Sequence, residues 1–460
     1  MFWSKVENTV PINPATFTKV GDSGEQKTLA QIVQDASPSL ADGYSFFVNP
    51  LLAGGHLQTA YTGTRKFGDV DLVRYGRRLL HIDPEDHGYV VEGEKLKYDS
   101  YAGESTITVD YVLNNQPKAT ASASQGAVKI PSSQDGTLLP PRTTYISQSD
   151  EDKILSDQSR PLLIALHGLS GGSYEAYVRS LLHEITGPEF DFDAVVVNSR
   201  GCAGHTPTTP QLFNGLWTND VRYYVNEVIT KKYPDKKIYL IGFSLGGAIL
   251  GNFLAQESDH VHPNICGAAI MGSPWDFVDS CVQLEASWIG SRVYSPVMSQ
   301  NLQKLLLNHK DVLSDNPLVS SFVENPKNFD VPKLKDFDDT FTSKFFGFNC
   351  ASEYYRRASP IQRLLKIRVP TVIVSSLDDP IAGNTSLPYS EVQLNPYTMF
   401  VTTTIGGHLG WFTSSSTRWY PKPISQLFKE LHKNWTVNKV DEEHIPSHEN
   451  TIWRHDRLIL

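Results

Sequence analysis

The stretch Lys237-Ile238-Tyr239-Leu240-Ile241-Gly242-Phe243-Ser244-Leu245-Gly246-Gly247-Ala248-Ile249-Leu250-Gly251-Asn252-Phe253-Leu254-Ala255 decides how this chain is read. Its first five residues predict a buried strand, and Gly247 to Ala255 predict a helix with small residues in its first turn. Between them lies a GxSxG string, Gly242 to Gly246. Such a string arises by chance in roughly one in five chains of this length, so the flanks carry the weight. A serine on so tight a strand-to-helix turn is forced into a sparsely allowed backbone region, and glycines two residues either side let strand and helix close up. The turn lifts the hydroxyl clear of the sheet, and the helix aims its N-terminal amides at a bound carbonyl. Ser244 is therefore the candidate nucleophile.

Working outward, the alternation of strand and helix runs from about residue 160 onward. Strands are predicted at Leu162–Leu166, Ala194–Val197, Ile238–Ile241, Gly267–Met271, Thr371–Val374 and Met399–Thr402, with helices at 174–185, 211–232, 245–257, 352–366 and 422–433. Short, wholly apolar strands separated by helices mean a mostly parallel sheet covered on both faces, an α/β fold. Ahead of them, residues 71–113 read as antiparallel strands, with Ser105–Val112 alternating at period two. Residues 1–70 read as an N-terminal extension packing on a core whose first part is 71–274. Within it, 114–159 is rich in Ser, Ala, Gln and Pro and reads as a mobile insertion. Residues 275–350 break the alternation and read as a cap or lid, before a second part of the core at 351–435 and a tail at 436–460. The cap carries an amphipathic helix (Met298, Leu302, Leu305, Leu306) and many aromatics. Trp288, Met298, Leu302, Leu305, Phe345, Phe346 and Phe348 are expected to line a site for an apolar chain.

A serine nucleophile needs a base, and the base an orienting acid. Strand Thr371–Val374 runs into Leu377-Asp378-Asp379-Pro380, and the next strand into Gly406-Gly407-His408. Both lie just past the carboxyl end of a strand, where an open parallel sheet places its ligands. His408 is the predicted base and Asp379 the predicted acid; Asp378 is the competing acid and is otherwise expected to cap the turn. His205 is the rival base. For the oxyanion, the amides expected to donate are those of Leu245 and of Leu169, the latter in His167-Gly168-Leu169-Ser170-Gly171-Gly172. The HxxxxD string His81 to Asp86 is discounted, since about one such match is expected by chance in a chain of this composition. Asp259-His260-Val261-His262 reads as a solvated loop rather than a metal site. No cofactor fingerprint appears.

Composition bounds the partners. The chain has 460 residues, 40% of them hydrophobic and 20% charged, enough for a sizeable core. A net charge of −9 argues against nucleic acid and gives no support to anchoring on anionic lipid. The four cysteines, without a CxxC, read as reduced thiols. Residues Met1 to Asn8 hold no apolar signal segment, and no run of eighteen apolar residues occurs. A cytoplasmic protein is expected.

Taken together, Gly54-Gly55-His56-Leu57-Gln58-Thr59, His167 to Ser173, Asn198-Ser199-Arg200-Gly201-Cys202, Trp217-Thr218-Asn219-Asp220, Gly242 to Gly246, Leu377 to Pro380 and Gly406-Gly407-His408 resemble α/β-hydrolase family 4, the YheT-like group. The resemblance covers most of residues 45–435 and is strongest to its fungal branch of monoacylglycerol lipases and medium-chain fatty-acid ethyl ester synthases/esterases. It implies an α/β-hydrolase fold with an inserted helical cap and a charge relay on Ser244, Asp379 and His408, with no cofactor and no metal. It further implies a serine hydrolase acting on an acyl-glycerol or medium-chain acyl ester, monoacylglycerol first. Alternatives are acyl transfer from a medium-chain acyl-CoA to an alcohol, and a non-catalytic lipid-binding protein of the same fold. Oligomeric state is left open, as is peripheral contact with a lipid droplet, the endoplasmic reticulum or the mitochondrial outer membrane.

Overall fold

Runs of Val, Ile, Leu and Ala with no polar face are stable only when covered on both sides, and here they form the parallel centre of a large sheet. The computed structural model describes residues 2–21, 24–65, 67–82, 88–91, 94–98, 105–113, 139–445, 453–454 and 457–458. The sheet strands in chain order are β1 (Trp3–Thr9), β2 (Ser45–Phe47), β3 (Tyr75–Ile82), β4 (Ser105–Val112) and β5 (Thr143–Tyr145). They continue with β6 (Leu162–Leu166), β7 (Asp193–Asn198), β8 (Ile238–Phe243), β9 (Ile265–Met271), β10 (Thr371–Ser376) and β11 (Thr398–Thr403). Their spatial order is β2-β1-β11-β10-β9-β8-β6-β7-β4-β3-β5. The stretch from β11 to β7 is parallel throughout. Antiparallel β4 and β3 extend one side, antiparallel β1 and β2 the other.

Alternate residues of each strand face opposite layers. Leu163, Ala165, Tyr239, Ile241 and Val372 pack under helices Ala176–Ile185 and Pro421–Asn434 through Val178, Leu181, Ile424 and Phe428. Leu162, Ile164, Ile238, Leu240 and Ile373 pack on the other face under helix Leu245–Glu257 through Leu250, Phe253 and Leu254. The expected strands are all present. Two helices are shorter than expected. The predicted helix 211–232 starts only at Asn219, because the Asn214 side chain takes the Leu216 amide and holds the preceding residues in a turn. The predicted helix 352–366 is α-helical only over Ala351–Ala358, since Pro360 forces Ser359 into an extended conformation and a 3₁₀ turn follows.

Within the stretch expected to be a mobile insertion, residues 114–138 lie outside the described residues, but 139–159 are ordered. Thr143–Tyr145 pairs with β3, and helix Gln148–Leu155 buries Glu151, Ile154 and Leu155. A Ser147 capping box and the Arg78–Glu151 ion pair fix this helix, signals that the Ser-rich composition hid. Between β9 and β10 the chain leaves the sheet and forms helices Phe277–Ala286, Ser295–Asn308 and Pro317–Glu324 with shorter turns. Leu302, Leu306, Val319, Phe322, Phe337 and Phe341 give this segment a core of its own.

A buried ion pair ties the sheet edge to the loops above it. Arg77 on β3 meets Asp110 on β4 through two bonds of 2.7 Å, and both side chains are fully buried. Asp110 also accepts from the Ser173 hydroxyl at 2.5 Å and the Asn198 amide at 2.9 Å. Burial alone would raise the Asp110 carboxyl, but Arg77 and these donors outweigh it and hold it below its ordinary value. Asp110→Ala leaves Arg77 buried and unpaired, which is expected to cost about 3–5 kcal/mol in urea denaturation. Replacing both partners, Arg77→Met with Asp110→Leu, is expected to recover much of that loss.

Candidate active site

The turn after β8 has no room for side chains at its glycines. A Cβ on Gly242 would lie 2.3 Å from the Gly246 carbonyl oxygen, and one on Gly246 would lie 2.4 Å from the His167 carbonyl oxygen. Strand β8, helix Leu245–Glu257 and the end of β6 thus touch through backbone alone. Ser244 between them has φ 53° and ψ −121°, a strained conformation for a residue with a Cβ. Its amide donates to the Met271 carbonyl at 2.9 Å, which anchors the strain to β9.

His408 and Asp379 meet Ser244 from the loops after β11 and β10. His408 Nδ1 lies 2.8 Å from Asp379 Oδ2, and Nε2 lies 2.8 Å from Ser244 Oγ. A carboxylate only accepts, so the His408 proton sits on Nδ1 and Nε2 accepts from the serine hydroxyl. The other Asp379 oxygen accepts from the Ile381 and Ala382 amides at 2.8 and 2.9 Å, which fixes the carboxylate plane. Asp378 turns the other way: its Oδ1 accepts from the Gly406 and Gly407 amides at 2.9 and 2.8 Å and from Ser376 Oγ at 2.6 Å. It does not touch the histidine ring but ties together the two loops that carry Asp379 and His408. The rival base His205 is buried against the Thr106 carbonyl, and burial pushes it down to about 4. His81 stands on β3, while Asp86 lies outside the described residues.

The oxyanion candidates flank the serine. Leu245 opens the helix, where first-turn amides have no intrahelical partner. In the loop after β6, the Gly168 amide is committed to the Tyr177 hydroxyl at 2.9 Å, so the next amide, that of Leu169, is the loop's candidate donor. Leu169, Leu245 and Ser244 all line one cleft.

Several positioning groups carried no role in the sequence reading. The Ser199 amide donates to His167 Nε2 at 3.0 Å, so the His167 proton is on Nδ1 and donates to the Gly168 carbonyl at 2.7 Å. Ser173, in the same loop, is held by Asn198 and Asp110. Helix Gly55–Thr64 covers the acid and base loops: a Cβ on Gly55 would lie 1.8 Å from the Asp378 carbonyl oxygen, and Thr59 Oγ1 accepts from the His408 amide at 2.9 Å. His167, Ser173, Asn198 and Thr59 all stood inside quoted motifs, which was the available signal; Asp110 stood in a strand and gave none.

The cleft and its open mouth together hold about 760 Å³ of non-atom space, open solvent included. The cleft is walled by helical stripes: Phe277, Ser280, Cys281 and Leu284 at i, i+3, i+4, i+7; Met298 and Leu302 one turn apart; Leu334, Asp338 and Thr342 at i, i+4, i+8; and Tyr354 with Tyr355. This corrects the expected lining. Met298 and Leu302 face the cleft, but Leu305 and Phe345 pack into the segment's own core. Phe346 packs against Trp217, Phe348 against Tyr354, and Trp288 is 73% exposed. Side chains of the insertion divide between its own core and the cleft wall, and Tyr354 and Tyr355 of helix Ala351–Ala358 complete that wall. Among the described residues no group of His, Cys, Asp and Glu side chains is disposed to hold a metal ion. The four cysteines are free, one buried and three half-buried.

Comparison with known proteins gives a match of residues 161–414 to the α/β hydrolase fold family. The chain is 37% identical over 449 residues to the monoacylglycerol lipase of Saccharomyces cerevisiae, covering 96% of this chain and 94% of that one. It is 30% identical to the medium-chain fatty acid ethyl ester synthase/esterase 2 of the same yeast, covering 93% and 94%. Against human phospholipase ABHD3 the identity is 27%, over 55% and 59% of the two chains.

Two outcomes follow from this geometry. Asp379→Asn is expected to lower kcat on the order of 10⁴-fold, whereas Asp378→Asn, which keeps an acceptor for Gly406 and Gly407, is expected to lose far less. Steady-state rates on variants shown to be folded by circular dichroism check the ranking. His167 is pushed down to about 4 by burial, the Gly168 bond opposing. Between pH 6.5 and 4 the unfolded chain binds a proton there that the folded chain does not, so stability falls as pH falls through that window and levels off below it. His167 accounts for about 3 kcal/mol of that loss. The difference in unfolding free energy between wild type and His167→Gln isolates it from Glu175 and Asp338, pushed up by burial to about 7 and 6, whose contributions run the other way.

Proposed function

The chain belongs to the α/β-hydrolase fold family, and from that premise we propose that it cleaves carboxylic esters of lipids, with a monoacylglycerol as substrate. The observation that carries the reading is a serine, histidine and aspartate joined by two 2.8 Å hydrogen bonds at the head of a mostly apolar cleft. In this mechanism His408 Nε2 takes the Ser244 proton as Oγ attacks the ester carbonyl. The oxyanion forms beside the amides of Leu245 and Leu169, and Asp379 stabilises the imidazolium. Collapse passes the proton from His408 to the departing glyceryl oxygen and leaves an acyl-serine. Water, deprotonated by His408, then attacks the acyl-serine; the serine recovers its proton and the fatty acid leaves.

The segment 275–350 acts as the cap, and the stripes from Phe277, Met298 and Leu334 hold the acyl chain. The 37% identity along nearly the whole chain to the yeast lipase supports the glycerol ester as leaving group. The seven quoted motifs support the finer placement in family 4. No helix among the described residues is long and apolar enough to cross a membrane. Peripheral contact with a droplet or membrane belongs to the proposal, and the exposed Trp288 and Val293 on the cap favour it.

Ser244→Ala is expected to abolish both ester turnover and fluorophosphonate labelling. Each buried methylene contributes about 0.8 kcal/mol, so turnover of acyl esters is expected to rise several-fold from two-carbon to roughly eight-carbon chains. Leu302→Ala and Leu284→Ala should flatten the rise. Product analysis with monooctanoylglycerol, run beside octanoyl-CoA plus ethanol, identifies the acceptor. A profile that peaks at acetyl esters would remove the lipid reading.

A further inference from the structure

The cleft wall is mostly apolar, and besides Asn214, Ser244 and Ser280 it carries one carboxyl. Asp338, 7% exposed, lines the cleft with Thr342 one helical turn on and Tyr355 on the adjoining helix Ala351–Ala358. The Thr342 hydroxyl donates to Asp338 Oδ1 at 2.6 Å and the Tyr355 hydroxyl to Oδ2 at 2.8 Å. Among the described residues no Lys, Arg or His forms an ion pair with this carboxyl. Burial pushes it up to about 6, the two hydroxyl donors opposing.

A carboxylate offers about four acceptor positions, and the protein fills two of them here. Buried without a cation and short of donors, such a group is costly. A leucine at this place would complete the wall formed by Leu284, Leu302 and Leu334 and would hold an acyl chain better. The carboxyl gains a purpose if the occupant of the cleft brings a donor. Its position is fixed by Thr342 on its own helix and by Tyr355 from the adjoining helix Ala351–Ala358, so its free lone pairs are held ready.

We propose that Asp338, held by Thr342 and Tyr355, forms a hydroxyl-binding subsite in the acyl-ester cleft. The hydroxyl comes from the substrate, either from the free glyceryl hydroxyls or from a hydroxyl carried on the acyl chain. The subsite rests on the ester-hydrolase reading of Ser244, and it makes the cleft selective for esters with a hydroxyl over plain alkyl esters of equal length.

The test compares kcat/KM for three esters of one chain length: methyl octanoate, 1-monooctanoylglycerol and methyl 8-hydroxyoctanoate. They are run on wild type, Asp338→Asn, Asp338→Leu and Thr342→Val, with thermal unfolding of each variant. Asp338→Leu is expected to lower the ratio of a hydroxylated ester to methyl octanoate by about tenfold or more, the size of a hydrogen bond to a charged acceptor. Asp338→Asn, which keeps one acceptor, should lower it less. The ester whose ratio falls identifies the source of the hydroxyl: the glyceryl arm or the acyl arm. Where Asp338→Leu fails to fold, the Asp338→Asn and Thr342→Val ratios decide alone. A purely structural role would lower all three substrates by one factor, and that result overturns the subsite while leaving the hydrolase intact. A wild type that turns over none of the three esters overturns both.

Discussion

Everything at the site depends on backbone meeting backbone at Gly242 and Gly246. With a Cβ at either position, strand β8, helix Leu245–Glu257 and the end of β6 would be pushed apart. Because they touch, Ser244 is held at φ 53° above the sheet, and Leu245 and Leu169 line the same cleft as the serine. The strain is maintained by the parallel sheet below, whose strands are buried on both faces and cannot shift singly.

Around that point the polar framework is layered. His408 is hydrogen-bonded to both Asp379 and Ser244, while Asp378 binds the two loops that carry Asp379 and His408 together. Behind the loop after β6, Asp110, Ser173, Asn198 and the neutral His167 form a connected set from the sheet edge to Gly168. Almost every member is buried, so each polar group is satisfied by protein and its loss would leave another stranded. Rigid loops of this kind keep reacting atoms within hydrogen-bond reach without reorganisation during turnover.

The cap segment obeys a different logic. It must pack a core of its own and also wall a cleft, so its apolar side chains divide between two tasks. Phe341 and Leu306 serve the first, Met298 the second, and Leu302 both. The stripe Phe277, Ser280, Cys281, Leu284 serves the second, and Ser280 also donates to the Ala382 carbonyl beside the Asp379 loop.

The sequence by itself determined the six parallel strands and the strand-to-helix turn at Ser244, and it marked the two loops that bring Asp379 and His408 to the serine. Each of these is written in contiguous residues: an unbroken apolar run, glycines at fixed offsets, a turn just past a strand end. It misread the end of the insertion at 139–159, where composition outweighed a capping box, and the helix bounds near Asn214 and Pro360, where a side chain and a ring override the period. Only the tertiary structure decided that Phe345 serves the core and Phe346 packs on Trp217 instead of lining the cleft, that Asp110 reaches Ser173, and that helix Gly55–Thr64 closes over Asp378. It alone placed Asp338 in an apolar wall. Those facts depend on which faces meet across long stretches of chain, and periodicity fixes the face of a helix without naming its partner.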